Sequence, residues 1–231
     1  PTLAVGDSFG YSISAIGDLN SDGLTDLAVG AIRNDTGGSN RGAVHILFMN
    51  SDGTSKSSQI IANGVGGGPT LENYDYFGSA VSMVGDLDLD GVPDLVVGVD
   101  GDGSGEIGRT GAVYVLFMNP TGTVKSFKEV AHEVNGGPTL GSSDRFGSSI
   151  ALLGDINADG TPDLAVGAYG DSSQGNMKGA VHFLMMNSDG TVKSTKKIVD
   201  GDDNAPVLGY SDYFGQSLSA GDFNEDGTID L

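Results

Sequence analysis

The sequence predicts an all-β chain of consecutive four-stranded antiparallel sheets, and three observations carry that prediction. The pair Phe9-Gly10 returns as Phe77-Gly78, Phe146-Gly147 and Phe214-Gly215, at intervals of 68, 69 and 68 residues. Within the repeat, Val44, Ile46 and Phe48 alternate with His45, Leu47 and Met49, a period of two in a run rich in β-branched and aromatic residues, which is the pattern of a strand. Gly interrupts nearly every stretch, Thr123 to Asn135 being the one run of eleven or more residues free of it, and no helix is predicted. Four short strands per repeat is the content of a propeller blade, although this unit is longer than the ~40 to 50 residues of common propeller repeats. The chain divides into blades at 1–68, 69–137 and 138–205, with the start of a fourth at 206–231.

The first strand of each unit opens at its Phe-Gly pair. Nine residues after the Phe, or eight in the last copy, an acidic loop begins: Asp18 to Asp26, Asp86 to Asp94, Asp155 to Asp163 and Asp222 to Asp230. A second strand follows over Leu27 to Ala31, Leu95 to Val99 and Leu164 to Ala168. The third occupies Gly42 to Asn50, Gly111 to Asn119 and Gly179 to Asn187, and a Gly-containing turn such as Asn50-Ser-Asp-Gly-Thr54 folds it back onto a fourth that begins near Lys56, Lys125 and Lys193. The extra length of the unit lies in two Gly-rich loops, Ile32 to Arg41 and Asn63 to Tyr76, and their equivalents. Each Phe of a Phe-Gly pair is expected between adjacent blades. The three lysines are expected on an outer strand away from the acidic loops, as solubilising edge residues.

Composition narrows the functions open to such a chain. Gly contributes 39 of 231 residues, yet 38% are hydrophobic, so there is material for a core and simple acidic disorder is excluded. The longest apolar run, Ala112 to Met118, and the run Ala180 to Met186, which His182 interrupts, are far below the ~18 to 20 residues that span a bilayer. With 31 acidic against 11 basic residues the net charge is −20; such a surface repels nucleic acid and anionic lipid and favours cations. The absence of Cys removes disulfides, thiol catalysis and thiolate metal sites together.

The strongest chemical signal is the nonapeptide Asp-x-[Asn/Asp]-x-Asp-Gly-x-x-Asp, present four times. Oxygen donors at positions 1, 3 and 5 converge when a loop winds round a hard cation, and the Gly at position 6 permits the sharp turn. An EF-hand would end in Glu at position 12, but Val29, Val97 and Val166 stand there. The expected ligands are therefore Asp18, Asn20, Asp22 and Asp26; Asp86, Asp88, Asp90 and Asp94; Asp155, Asn157, Asp159 and Asp163; and Asp222, Asn224, Asp226 and Asp230. Position 7 adds the backbone carbonyls of Leu24, Val92, Thr161 and Thr228. An all-oxygen set rich in carboxylates favours Ca²⁺, about one per blade. Asp, Asn and Gly are also turn formers, so a single copy reads equally well as a solvated turn; four copies in one register favour the metal.

Phe-Gly, the acidic nonapeptide, and Gly30-Ala31 or Gly167-Ala168 after the second strand together resemble the FG-GAP repeat of integrin α-subunit propellers and their relatives. The third strands, with Gly-Ala-Val-x-x-Leu-Phe-Met-Asn in the first two units, are more similar to bacterial members. Ile32, Asp100 and Tyr169 stand where the family name has Pro, and the second unit has Gly98-Val99 for Gly-Ala. The resemblance implies a propeller of about seven blades, calcium in the loop between first and second strands, and an extracellular role in adhesion or interaction.

No catalytic constellation accompanies these loops. His45 and His182 share a repeat position with Tyr114, which suits packing between blades and not a general base; His132 is expected at the surface beside Glu129 and Glu133. Gly6-Asp7-Ser8-Phe9-Gly10 has the spelling Gly-x-Ser-x-Gly, but no helix follows it as a nucleophile elbow requires, and the glycines at 66 to 68 and 136 to 137 precede Pro-Thr-Leu as blade connections. A non-enzymatic scaffold is expected, with a protein or glycan ligand. Tyr11, Tyr74, Tyr76, Tyr169, Tyr210 and Tyr213 could serve as stacking platforms in a glycan-binding propeller, and an accessory propeller of a secreted hydrolase is a further alternative. Pro1-Thr-Leu3 matches Pro69-Thr-Leu71, and Leu231 falls where a second strand would start, so the expectation is part of a longer propeller, a homo-oligomer or a head-to-tail filament.

Overall fold

The structure is a computed structural model describing residues 1–103, 108–202 and 205–231. Its strands are β1 (Phe9–Ala15), β2 (Leu27–Ala31), β3 (Ala43–Met49), β4 (Ser55–Ala62), β5 (Val81–Gly85), β6 (Asp94–Val99), β7 (Ala112–Met118), β8 (Val124–Val130), β9 (Phe146–Gly154), β10 (Asp163–Ala168), β11 (Ala180–Met186) and β12 (Val192–Ile198). They form three antiparallel sheets in the orders β1-β2-β3-β4, β5-β6-β7-β8 and β9-β10-β11-β12. There is no helix among the described residues. These are blades of a β-propeller, each a simple meander. That topology sets the loops by parity: the β1–β2 and β3–β4 connections share one end of a blade, and the β2–β3 connection lies at the other.

The core sits between blades. Val44, Ile46 and Ile61 of the first sheet pack with Phe77, Val97, Tyr114 and Leu116 of the second unit, and Val113, Val115 and Val130 of the second pack with Phe146, Leu164 and Val166 of the third. Successive units are also joined backbone to backbone, through parallel bridges from Gly42 to Phe77, Gly111 to Phe146 and Gly179 to Phe214. A serine near the start of each first strand donates its hydroxyl to the Phe-Gly carbonyl of the next unit: Ser12 to Gly78 at 2.7 Å, Ser79 to Gly147 at 3.2 Å and Ser149 to Gly215 at 2.7 Å. The second unit has Ala80 where the others carry this serine, and Ser79, one residue earlier, makes the bond.

Two expectations need correction. Phe77 and Phe146 are fully buried and Phe214 packs partly buried on Leu153, Ala165 and Val181, but Phe9 is 37% exposed, because among the described residues no sheet covers the face of the first blade on which it lies. The first strand of the fourth unit does not form as a strand; residues 214–230 make only the isolated bridges Gly179 to Phe214 and Gly221 to Asp230. A strand needs a ladder, and the segment that would pair with this one begins at Leu231.

Candidate metal centre

The four acidic loops fold alike because their own side chains cap their own backbone. In the first, Asp18 accepts the N–H of Asp22 at 2.9 Å and of Gly23 at 2.8 Å, Asn20 accepts Asp22 N–H at 2.9 Å, and Asp22 accepts Leu24 N–H at 3.1 Å. The third loop repeats this set through Asp155, Asn157 and Asp159, and the fourth through Asp222, Asn224 and Asp226. The second keeps the bonds of Asp86 and Asp90. Winding is achieved by two left-handed residues, the Gly at position 6 and a non-glycine at position 4: Ser21, Leu89, Ala158 and Glu225 all have φ near 60°.

Position 9 ties the loop to the sheet. Asp26, Asp94 and Asp163 are buried, and each accepts two backbone N–H groups, one within the loop and one from the end of the third strand. For Asp94 these are Leu87 and Met118, both at 2.9 Å; for Asp26 they are Leu19 and Met49, and for Asp163 Ile156 and Met186. Asp230 has the inner bond alone, from Phe223 at 3.0 Å. Burial pushes the Asp94 carboxyl up to about 6, and Asp26 and Asp163 are raised by the same cause. A carboxylate oxygen has two acceptor directions, so the Asp94 oxygens keep room for a ligand beside their N–H partners. Asp86, Asp88 and Asp94 each bring an oxygen within 4.8 Å of the other two. All the donors are hard oxygens, and among the described residues no cationic side chain bonds a position-9 carboxylate, the Asn157 amide alone donating to Asp163 at 3.2 Å, so the residues fit a divalent hard cation.

The lysines sit on these loops, contrary to the sequence expectation. Lys56 pairs with Asp22 at 3.2 Å, Lys193 with Asp159 at 2.9 Å, and Lys125 with both Asp88, at 2.6 Å, and Asp90. Their bonds hold Asp90 and Asp159 below the usual carboxylate range. The parity of the meander is the reason: β4, β8 and β12 start at the end of the sheet where the acidic loop enters the second strand. That signal was available from strand order alone.

His45 and His182 are buried edge-on to Phe9 and Phe146, with ring centroids 5.4 Å apart in both pairs, and Tyr114 meets Phe77 at 6.2 Å in the same way. His132 is half-buried, and its Nδ1 accepts the Leu140 N–H at 2.9 Å. Asn63 and Asp200 do the same for Leu71 and Leu208, so this repeat position fastens the connection between units. Among the tyrosines, Tyr11, Tyr74 and Tyr210 are exposed, Tyr74 under the Arg109 guanidinium, while Tyr169 and Tyr213 meet edge to face.

A second acidic tier was missed. Asp7, Asp75, Asp144 and Asp212 each precede a Phe-Gly pair by two residues and accept the N–H three residues back, from Ala4, Glu72, Gly141 and Gly209. In the first unit Asp7 also accepts from Asn34. In the third, Asp171 is paired with Lys197 at 2.5 Å. Burial raises Asp75 and Asp144 to about 6. The signal was the register itself, since the repeated element is Asp-x-Phe-Gly.

Meander blades joined through Phe-Gly, with an acidic nonapeptide between first and second strands, define a class of propeller repeat. The FG-GAP repeat family matches residues 9–47, 77–116 and 146–184, and the chain belongs to that family. It is similar to phosphatidylinositol-glycan-specific phospholipase D of Bos taurus, 32% identical over 209 residues, and to integrin alpha-5 of Xenopus laevis, 34% over 170, and integrin alpha-6 of Gallus gallus, 36% over 166. These alignments take in 84%, 70% and 71% of this chain but 23%, 15% and 14% of the relatives. The chain thus spans less than a quarter of the length of the relatives it matches. No helix among the described residues is long and apolar enough to cross a membrane.

Proposed function

We propose that these blades are a calcium-stabilised interaction scaffold that works outside the cell, where Ca²⁺ is abundant enough to fill such loops. The observation that carries this reading is the convergence of Asp86, Asp88 and Asp94 oxygens in a loop geometry shared by all four copies. Asp18, Asn20, Asp22 and Asp26, with the Leu24 carbonyl, and their counterparts in the other loops would hold the ion. Bound calcium supplies charge neutralisation to carboxylates that otherwise repel one another, so metal binding is coupled to folding. Calorimetric titration and elemental analysis should find stoichiometric calcium, and chelator should lower the melting temperature. Asp94→Ala should cost more stability in calcium than in chelator; equal losses would assign Asp94 only to the N–H groups of Leu87 and Met118.

The apolar face of the first sheet, with Phe9, Tyr11 and Ile13 exposed, is the counterpart of faces buried in the next two units. We propose that it packs on a further blade, of the same protein or of another copy. Light scattering over a range of concentrations tests association of the 231-residue chain, and a dispersed monomer that shows no binding to added blades would reject it. A second reading, the accessory propeller of a larger hydrolase, is favoured by the alignment with the phospholipase, which covers more of this chain than the integrin alignments do. A catalytic domain in the same gene as these repeats would support that reading.

A further inference from the structure

The lysine at the start of the fourth strand takes the oxygen that a metal would need. In each of the first three loops, the position-5 aspartate spends Oδ1 on the N–H of position 7: Asp22 on Leu24 at 3.1 Å, Asp90 on Val92 at 2.9 Å and Asp159 on Thr161 at 3.0 Å. Its other oxygen, Oδ2, is the one left to face a ligand, and in every case the ammonium of Lys56, Lys125 or Lys193 holds it. The second loop differs from the others in having Asp88 where Asn20, Asn157 and Asn224 stand. There the lysine bonds the additional carboxylate as well. The lysine side chains remain 40 to 56% exposed, so each is free to swing into solvent when its place is taken. In the fourth loop Asp226 makes the same inner bond to Thr228, and among the described residues no ammonium reaches it.

We propose that Lys56, Lys125 and Lys193 are tethered cations that compete with calcium for the position-5 carboxylate, setting the affinity of each loop and neutralising it when the metal is absent. This rests on the calcium reading of the loops. A fixed positive charge beside a cation site weakens binding of the ion, and the same charge relieves carboxylate repulsion in the empty loop. The device thus lowers affinity and softens the loss of stability on metal removal together. Lys125, with two carboxylates, has the larger part.

The test is a calorimetric titration of the full chain with calcium alone, comparing the parent with Lys125→Met and with the triple Lys56→Met, Lys125→Met, Lys193→Met variant. Each exposed pair corresponds to a factor of roughly two to five in affinity. Lys125→Met should tighten binding by about that factor, the triple variant should tighten it at more sites, and both should melt at lower temperature than the parent in chelator. Lys125→Arg keeps the charge and should stay within about twofold of the parent in affinity. Unchanged or weaker calcium binding in the Met variants would overturn the proposal, the second outcome showing that the lysines organise the loops for metal. Absence of calcium heat in the parent would overturn the metal reading itself, and the proposal with it.

Discussion

The carbonyl oxygen of Gly78 lies 2.2 Å from the point where a Cβ on Gly30 would stand. The second strand of one blade and the Phe-Gly pair of the next therefore touch backbone to backbone, and the same approach recurs at Gly98 with Gly147 and at Gly167 with Gly215, each at 1.9 Å. Both glycines of the repeat signature answer to one contact. A side chain at either strand position would force the blades apart, because the obstructing atom is main chain and has nowhere to rotate.

Gly98→Ala should accordingly cost about 3 kcal/mol, the scale of overpacking in a rigid site. Ser149→Ala, which removes the hydroxyl bonded to Gly215 without adding bulk, should cost about 1 to 3 kcal/mol, for a buried acceptor left unpaired. Urea unfolding midpoints measure both. A loss below about 1 kcal/mol for Gly98→Ala would mean that the blades have slack that the backbone contact denies them.

Phe77 and Phe9 occupy the same position in successive repeats and should respond differently. Phe77→Ala removes a ring with no exposed surface and should cost ~3 to 5 kcal/mol. Phe9→Ala should cost less than half as much, since its ring is already partly in water. Equal losses in thermal or urea unfolding of the isolated chain would mean that the face of the first sheet is covered in solution.

That contrast also shows what the sequence can disclose. Repeat length, strand order and the acidic loops were legible because each rests on a local pattern: alternation, turn glycines, fixed spacing. Burial of Phe9 was not, since it depends on a neighbour and not on the residue. The lysines were misplaced because strand position was read from edge chemistry, when the parity of the meander puts Lys125 beside Asp88 and Asp90. Asp75 and its equivalents were overlooked beside the richer nonapeptides, although they keep the Phe-Gly register equally well.

Leu89 is a strained residue with little to gain from its side chain. Its φ is 59°, in the left-handed region that disfavours a branched aliphatic residue, and it is 84% exposed. Leu89→Asn should raise stability by roughly 1 kcal/mol, because Asn tolerates this conformation. Calcium binding should be unaltered, position 4 having no ligand role. A fall in melting temperature in both calcium and chelator would show that Leu89 makes a contact worth more than its strain.

His182 should impose an acid limit on stability. Its ring lies edge-on to Phe146, only 1% exposed, with neither nitrogen hydrogen-bonded. Burial depresses its pKa to about 4; the nearby Lys197 ammonium adds to that, and Asp171 opposes it. A group held neutral in this way binds its proton less readily when folded than when unfolded, so its contribution is complete above about pH 6.5 and is lost as pH falls toward 4. Asp75 and Asp144, raised by burial to about 6, act with the opposite sign, contributing most in acid and losing that contribution as pH rises through 6. The raw stability curve therefore mixes both effects, and the variant must separate them. Tyr114 fills the equivalent place in the second blade, which makes His182→Tyr the appropriate substitution. The two proteins should differ little at pH 7.5, and the parent should lose ground steadily below pH 6.5 in urea midpoints measured with excess chelator throughout. Parallel curves would place the imidazole in contact with water or with an acceptor, and the buried neutral ring would be wrong.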